Sequence, residues 1–140
     1  MTPVAALQAT LVGEHTAVYL YGVLGGQVSR STQPVLAGTI DDLYNAHVAR
    51  RDRLTGLIHA HGADPEAAAS AYRLPNALSG AAQLRAAAAQ IESRCVQLYG
   101  QAVGSTSGAD RAWAISTLVA ASTQSLSVGV PATDYPGMTV

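Results

Sequence analysis

The stretch VAALQATLVGEHTAVYLYG, residues 4–22, decides the fold predicted for this chain. Its apolar side chains recur every three or four residues, the spacing that gathers side chains on one face of an α-helix. The stripe consists of Val4, Leu7, Leu11, Glu14, Val18 and Tyr21. The carboxylate in its middle needs a charged partner, a proton or a metal ion, because an unpaired buried charge is too costly. The stretch therefore predicts a core helix with a polar site at mid-length.

The composition predicts one all-α domain. The chain has 140 residues, of which 49% are hydrophobic and 12% charged. Its many alanines and leucines favour helices, and its length is sufficient for a full core. The net charge of −1 gives no general attraction to nucleic acid or to an anionic membrane. With one cysteine and no evident signal peptide or membrane anchor, we expect a cytoplasmic protein without nucleic-acid or membrane partners.

Caps and breaks divide the chain into four helices and a tail. Thr2 and Pro3 suit the start of the first helix, and Thr39 is the expected N-cap of the second. The predicted helices cover about residues 3–25, 40–61, 79–103 and 108–128, and an extended tail covers 129–140. A helix of ~22 residues is ~33 Å long, whereas an extended linker of ~17 residues spans ~55 Å. The pattern therefore predicts a ferritin-like four-helix bundle with a long crossover between helices two and three.

The later helices have apolar stripes of their own. The second stripe also carries charge and consists of Ile40, Leu43, His47, Arg50, Leu54 and Leu57. The third consists of Leu84, Ala88, Ile91, Cys95 and Leu98, with Glu92 beside it. The fourth consists of Ala112, Ile115, Val119, Ser122 and Leu126. We expect these residues to face the core.

Compared with a di-iron bundle, the polar residues form a depleted ligand set. A complete site takes Glu from two helices and Glu-x-x-His from each of the other two. Here Tyr44 stands where the second helix would need a carboxylate, and the fourth helix has no acid or histidine after Asp110. The protein ligands left for a single iron, manganese or zinc ion are Glu14, His47 and Glu92.

The arginines after His47 suggest a different use of the same residues. Arg50 and Arg51 follow it by three and four positions, so one of them can share its helix face. A guanidinium there could bind Glu14 through two hydrogen bonds and occupy the space of a metal. We therefore predict a buried polar network of Glu14, His47, Arg50 and Arg51, with no catalytic residue and no cofactor.

Several short motifs, in this order, carry a resemblance to a known family. They are Gly13-Glu14-His15-x-Ala17-x-Tyr19-x-Tyr21-Gly22, Ala46-His47-x-Ala49-Arg50-Arg51-Asp52-x-Leu54, Gly62-Ala63-Asp64-Pro65, Ala71-Tyr72-x-Leu74-Pro75 and Tyr135-Pro136-Gly137. Together they resemble the bacterial ferritin-like proteins of the DUF4439 family, a domain of unknown function, over essentially the whole chain. The resemblance implies a self-associating ferritin-like bundle with no established activity. It also implies that Glu14 and His47 are the ligand-type positions.

Three functions compete on these grounds. The leading hypothesis is a non-enzymatic scaffold or dimerising binding module with a degenerate di-iron site. The second is a metal-dependent oxidoreductase that uses the reduced ligand set. The third is a carrier of a small apolar ligand, whose identity the sequence does not reveal, because alanine-rich helices leave room between them. Low charge and alanine-rich surfaces predict a homodimer in each case.

Overall fold

Four α-helices make up the chain in the structure, a computed structural model that describes residues 1–138. The last two residues of the predicted tail, 139–140, lie outside the described residues. The helices are α1 (Pro3–Gln27), α2 (Pro34–Ala60), α3 (Ala81–Ser105) and α4 (Gly108–Ser125), and a short 3-10 turn (Leu126–Val128) follows. No strand occurs within residues 1–138. The all-α prediction is confirmed.

The first two helices begin with proline. The Thr2 hydroxyl caps α1 by accepting the Ala5 backbone N–H at 3.1 Å, as the sequence predicts. Helix α2, in contrast, begins at Pro34 and not at residue 40, so the prediction of Thr39 as its N-cap is wrong. Proline lacks the N–H that a first-turn residue would leave unbonded, and its fixed φ already suits a helix. The signal at Pro34 was therefore the stronger one.

Contacts along the helices define their directions. Leu7 and Leu11, near the start of α1, pack with Leu54 and Ile58, near the end of α2, so these two helices are antiparallel. The start of α3 lies in the other cluster, where Leu84 joins side chains from the end of α1 and the start of α2. Helices α2 and α3 therefore begin at the same end of the bundle and run parallel.

The connection between α2 and α3, residues 61–80, returns along the outside of α1. The Gln8 side chain donates to the Asp64 carbonyl at 2.7 Å and accepts the Glu66 N–H at 2.9 Å. Further along the helix, the Tyr19 ring meets the Tyr72 ring edge-on, with centroids 5.4 Å apart. The long crossover that the sequence predicts is thus present, and it is fastened to α1.

The apolar core has two main parts with a polar layer between them. One part surrounds Leu20, Leu24 and Ile40, and the other contains Leu7, Leu54 and Ile58. Glu14 and His47 lie between the two in sequence and in space. The polar layer is therefore enclosed by packed side chains above and below.

Helix α4 buries a different face from the one predicted. Its buried residues are Ala114, Thr117, Ala121 and Ser125. The predicted stripe faces outward, with Ile115 47%, Val119 61% and Leu126 49% exposed. Small residues let α4 approach α3 closely, which leaves the larger apolar side chains on the outside.

Within residues 1–138, none of the helices combines the length and the apolar character that a membrane span requires.

Candidate functional site

His47 lies at the centre of the polar layer and contacts two carboxylates. Its Nδ1 is 2.5 Å from Glu14 Oε2, and its Nε2 is 2.8 Å from Glu92 Oε1. All three side chains are at most 1% exposed. A carboxylate only accepts hydrogen bonds, so both ring nitrogens donate and the ring is an imidazolium. One cation from α2 thus joins an anion from α1 to an anion from α3.

Two tyrosines close the ends of this chain of hydrogen bonds. The Tyr21 hydroxyl donates to Glu92 Oε1 at 2.6 Å, and the Tyr99 hydroxyl donates to Glu14 Oε1 at 2.6 Å. Tyr21 also stacks on the His47 ring, with centroids 5.3 Å apart and planes 21° apart. The complete sequence of contacts is Tyr99–Glu14–His47–Glu92–Tyr21. We call these five residues the polar centre.

The two carboxylates determine the charge of His47. Burial alone would lower the pKa of the ring, but the hydrogen bonds and charges of Glu14 and Glu92 outweigh it and raise the pKa from 6.5 to about 9. The ring is therefore charged at neutral pH.

The two tyrosine hydroxyls and the nearby cysteine thiol have raised pKa values and remain protonated at neutral pH. Burial, together with the neighbouring Glu92, raises the pKa of the Tyr21 hydroxyl, and burial with Glu14 raises that of Tyr99. Burial next to the same carboxylates also raises the pKa of the Cys95 thiol well above its usual value. A thiol in this state is a poor nucleophile, since the thiolate is the reactive form.

Arg50 is buried but does not bind Glu14 as the sequence suggested. Its guanidinium donates to the Gln124 side-chain oxygen on α4, and its Cζ lies 6.0 Å from the centroid of the Tyr99 ring. The predicted bidentate pair with Glu14 is absent among the described contacts, because His47 and Tyr99 already occupy that carboxylate. Arg50 instead supplies a positive charge at the edge of the polar centre.

Arg51 lies outside the polar centre. It pairs with its neighbour Asp52 at 2.8 Å, where the two side chains are 31% and 64% exposed. Successive helix residues point about 100° apart, so Arg50 and Arg51 cannot both face inward. Including Arg51 in the buried network was therefore wrong.

The donor set does not fit a di-iron centre. Helix α4 contributes an amide, Gln124, where such a site needs a carboxylate and an imidazole. Both nitrogens of His47 are already used as donors. Near the site, two buried side-chain atoms have no hydrogen-bond partner among the described residues: Glu92 Oε2 and Arg50 Nη1. One carboxylate oxygen alone does not hold a pair of metal ions.

A single metal ion would have a more suitable set of donors. Glu14, His47 and Cys95 each offer one ligand atom, and these atoms lie within 4.8 Å of one another. Such binding would require His47 to lose a proton and exchange one hydrogen bond for the ion. Cys95 was predicted only as a core-facing member of the third apolar stripe, and it is indeed buried, at 2% exposure.

Sequence reasoning missed two members of the site. Tyr99 follows Glu92 and Cys95 on α3 at helical spacing, which was a usable signal for a shared face. Tyr21 was placed on the first apolar stripe without a partner for its hydroxyl, and its partner Glu92 was placed only beside the third stripe. Glu92 is in fact fully buried. The pairing of α3 with α1 required three-dimensional information.

The comparisons with known proteins agree with this fold and leave the chemistry open. The family described as Domain of unknown function (DUF4439) matches residues 6–140. The chain belongs to the DUF4439 family. This confirms the resemblance that the short motifs carry. No curated protein matches the chain.

The chain is similar in structure to a conserved hypothetical protein from Mycobacterium tuberculosis, which is known from a crystal structure. Its TM-score to this chain is 0.81, and the sequences are 26% identical. The match covers 89% of this chain and 92% of that chain. The helical bundle of this DUF4439 protein is therefore shared with a structure determined by experiment.

Proposed function

We propose that this DUF4439 protein is a non-enzymatic, ferritin-like binding module that self-associates, and that its polar centre serves as a structural core. The observation that supports this most directly is His47, whose two ring nitrogens both donate to buried carboxylates. The imidazolium thus supplies, between the two acids, the positive charge that a metal cation would supply in a di-iron bundle.

The charge balance supports a structural role. Glu14 and Glu92 supply two negative charges, while His47 and the nearby Arg50 supply two positive ones. The Tyr99 hydroxyl donates to the second oxygen of Glu14, and the Tyr21 hydroxyl donates to the Glu92 oxygen that His47 also contacts, each at 2.6 Å. A buried ionic group is tolerable when its partners are in place, and it then specifies which helices meet. The polar centre fixes the register of α1, α2 and α3 in this way.

The outer face of α4 supports self-association. Ile115 and Val119 on α4, and Leu126 at the start of the 3-10 turn that continues it, follow one another at helical spacing and are about half exposed. The sequence contains no charged residue from 112 to 133. Two copies of such a face can therefore meet around a two-fold axis without like charges opposing each other. We call Ile115, Val119 and Leu126 the α4 stripe, and its proposed occupant is the same stripe of a second copy.

The size of the stripe suggests a weak dimer. A helix of 18 residues is ~27 Å long, so an apolar strip on it is much smaller than the ~800 Å² that each partner contributes to a standard interface. We expect dissociation within the concentration range of ordinary solution measurements.

Sedimentation velocity over a range of protein concentrations tests the dimer. We expect the wild type to shift from monomer to dimer as concentration rises, and Val119→Glu to remain monomeric because it would bury a carboxylate in the interface. Val35→Glu is the matched control, since Val35 is 78% exposed on a different helix. A wild type that stays monomeric, or a Val119→Glu protein that still dimerises, would contradict the proposal.

A second candidate function is a metal-dependent oxidoreductase with one ion. The proximity of Glu14, His47 and Cys95 ligand atoms favours it, with the unpartnered Glu92 Oε2 as a further donor. Thiolate and imidazole donors suit zinc or iron better than magnesium or calcium. The ion would act as a Lewis acid or redox centre when bound.

Elemental analysis of untagged protein purified without chelators decides between the two candidates. The structural proposal predicts substoichiometric zinc, iron and manganese in the wild type and in His47→Ala alike. Stoichiometric metal that His47→Ala loses, while the exposed His59→Ala control retains it, would make the oxidoreductase the better candidate.

A further inference from the structure

A cavity of about 360 Å³ lies between α1, α3 and the crossover. Most of the residues that line it are apolar, and they include Val12, Ala17 and Leu20 from α1 and Ile91 and Leu98 from α3. The volume is at the lower end of the range for small-molecule sites. The ligand it could hold is therefore short.

The charged residues that line this cavity are both arginines. Arg73 comes from the crossover and Arg94 from α3, so they approach the cavity from two different elements. No carboxylate is among the lining residues, and neither guanidinium forms a salt bridge with another residue of 1–138. Arg51 differs from these two arginines, because its charge is partly neutralised by Asp52.

We propose that this cavity binds a single-chain amphiphile with a carboxylate head, whose tail lies against the apolar walls and whose head is held by Arg73 and Arg94. Two guanidinium groups suit a carboxylate because each can donate two parallel hydrogen bonds to it. The apolar walls suit an alkyl chain, since burying it removes apolar surface from water. The inference rests on the proposed function only in treating the chain as a binding module, and the α4 stripe plays no part in it.

One residue of the cavity wall, Cys95, adjoins the polar centre. Cys95 lines the cavity and also lies within 4.8 Å of ligand atoms of Glu14 and His47. The bound tail would thus end against a thiol that is a neutral, weakly polar group, as an alkyl terminus requires. Gly13 also lines the wall, where a Cβ would collide with the Leu98 side chain. The glycine therefore allows α1 and α3 to enclose the cavity closely.

Isothermal titration calorimetry of the purified full chain with sodium decanoate, kept below its micelle concentration, tests the proposal. Decanol and acetate serve as probes that lack the charge and the tail, respectively. We expect one saturable decanoate site per chain, at least ~10-fold weaker binding of decanol, and no measurable binding of acetate. Absence of saturable decanoate binding would overturn the proposal. Equal binding of decanol, or of acetate, would overturn it as well.

Variants localise the site. The double substitution Arg73→Gln with Arg94→Gln should weaken decanoate binding at least ~10-fold, because it removes both charged donors. Arg53→Gln with Arg111→Gln changes the net charge equally at exposed positions away from the cavity, and should leave affinity within ~2-fold. Val12→Trp fills the rim without a change of charge and should also weaken binding. If the arginine variant weakens binding and Val12→Trp does not, decanoate binds at the surface and the cavity proposal is wrong.

The same titrations separate this inference from the proposed self-association. Sedimentation of the Arg73→Gln, Arg94→Gln protein should match that of the wild type, because both arginines lie away from the α4 stripe. A dimer that forms normally without decanoate binding contradicts the cavity proposal alone. Decanoate binding by a protein that stays monomeric contradicts the dimer alone.

Discussion

A single charged ring, His47, links the acidic residues of α1 and α3. Each of its nitrogens has one acceptor, and each acceptor has one further donor from a tyrosine. Removing one member therefore affects its neighbours, since the group left behind is buried and unpaired. We therefore expect the stability of this protein to depend strongly on the individual hydrogen bonds of the polar centre.

Glu14→Ala should destabilise the protein by about 3–5 kcal/mol, because it leaves the buried Nδ1–H of the His47 imidazolium and the hydroxyl of Tyr99 without their acceptor. Urea denaturation measures this as a lower midpoint. Glu66→Ala is the control: its carboxylate is on the exposed crossover, and we expect a change within about 0.5 kcal/mol. Equal stability of Glu14→Ala and wild type would show that the polar centre is not structural.

The pH dependence of stability should reflect His47. Its pKa rises from 6.5 to about 9 on folding, so its contribution is complete below pH 6.5 and is lost as the pH rises through about 9. The raised pKa values of Tyr21 and Tyr99 act in the same direction above pH 10. Thermal unfolding between pH 6 and 10 should show a falling Tm.

The His47→Gln protein provides the control for this pH dependence. It should be less stable at pH 6.5 but should lose much less stability between pH 6.5 and 9, since its amide does not titrate. A wild-type Tm that is level or rises over that interval would contradict an imidazolium at the centre of the bundle.

At the scale of the helices, α4 is joined to α2 by polar contacts. Arg50, in the second half of α2, donates to Gln124 near the end of α4, and His61, just after α2, lies 2.6 Å from Asp110 near the start of α4. Ala121 of α4 packs with Val96 and Tyr99 of α3, while Trp113 packs against both this cluster and the cluster of α1 and α2. The amide of Gln124 is therefore the main acceptor that draws the Arg50 guanidinium toward α4.

Gln124→Ala should destabilise the protein by about 1–3 kcal/mol, because the buried Arg50 guanidinium loses this acceptor while its Nη1 already lacks one. Denaturant unfolding measures the change. Gln101→Ala, at an exposed position of α3, should remain within about 0.5 kcal/mol of the wild type. A neutral Gln124→Ala would mean that water satisfies Arg50 equally well.

The predictability of each helix follows from the contrast along it. In α2, charged residues alternate with a clear apolar stripe, and all six predicted stripe positions are buried: Ile40, Leu43, His47, Arg50, Leu54 and Leu57. In α4 the residues are nearly all small or apolar and carry no charge after Arg111. Periodicity then has no polar face to contrast with, and it selected the larger side chains although the smaller ones face inward.

The polar site was predictable in its members more than in its bonds. A carboxylate and an imidazole at the middle of two stripes indicated Glu14 and His47 as residues in need of partners. Which partner each one takes depends on how far the helices are shifted along the bundle axis relative to one another. That register is set by packing between distant parts of the chain. The sequence therefore favoured Arg50 for Glu14, where the structure has His47 and Tyr99.

At the scale of the whole molecule, the chain consists of two helical hairpins, α1–α2 and α3–α4, joined by the crossover. The two hairpins divide the polar centre between them. Glu14, Tyr21 and His47 belong to the first, whereas Glu92 and Tyr99 belong to the second. Neither hairpin alone can satisfy its buried polar groups, so the two are expected to fold as one cooperative unit.

The crossover has a consequence for how the chain can be divided. Residues 67–70 are exposed, and the contacts that fasten the crossover to α1 lie on either side of them, at Glu66 and Tyr72. A backbone cut there removes no core contact. Each of the two fragments carries part of the polar centre and needs the other to complete its buried hydrogen bonds. The fragments are therefore suited to split-protein complementation, in which reassembly is selective for the matching half.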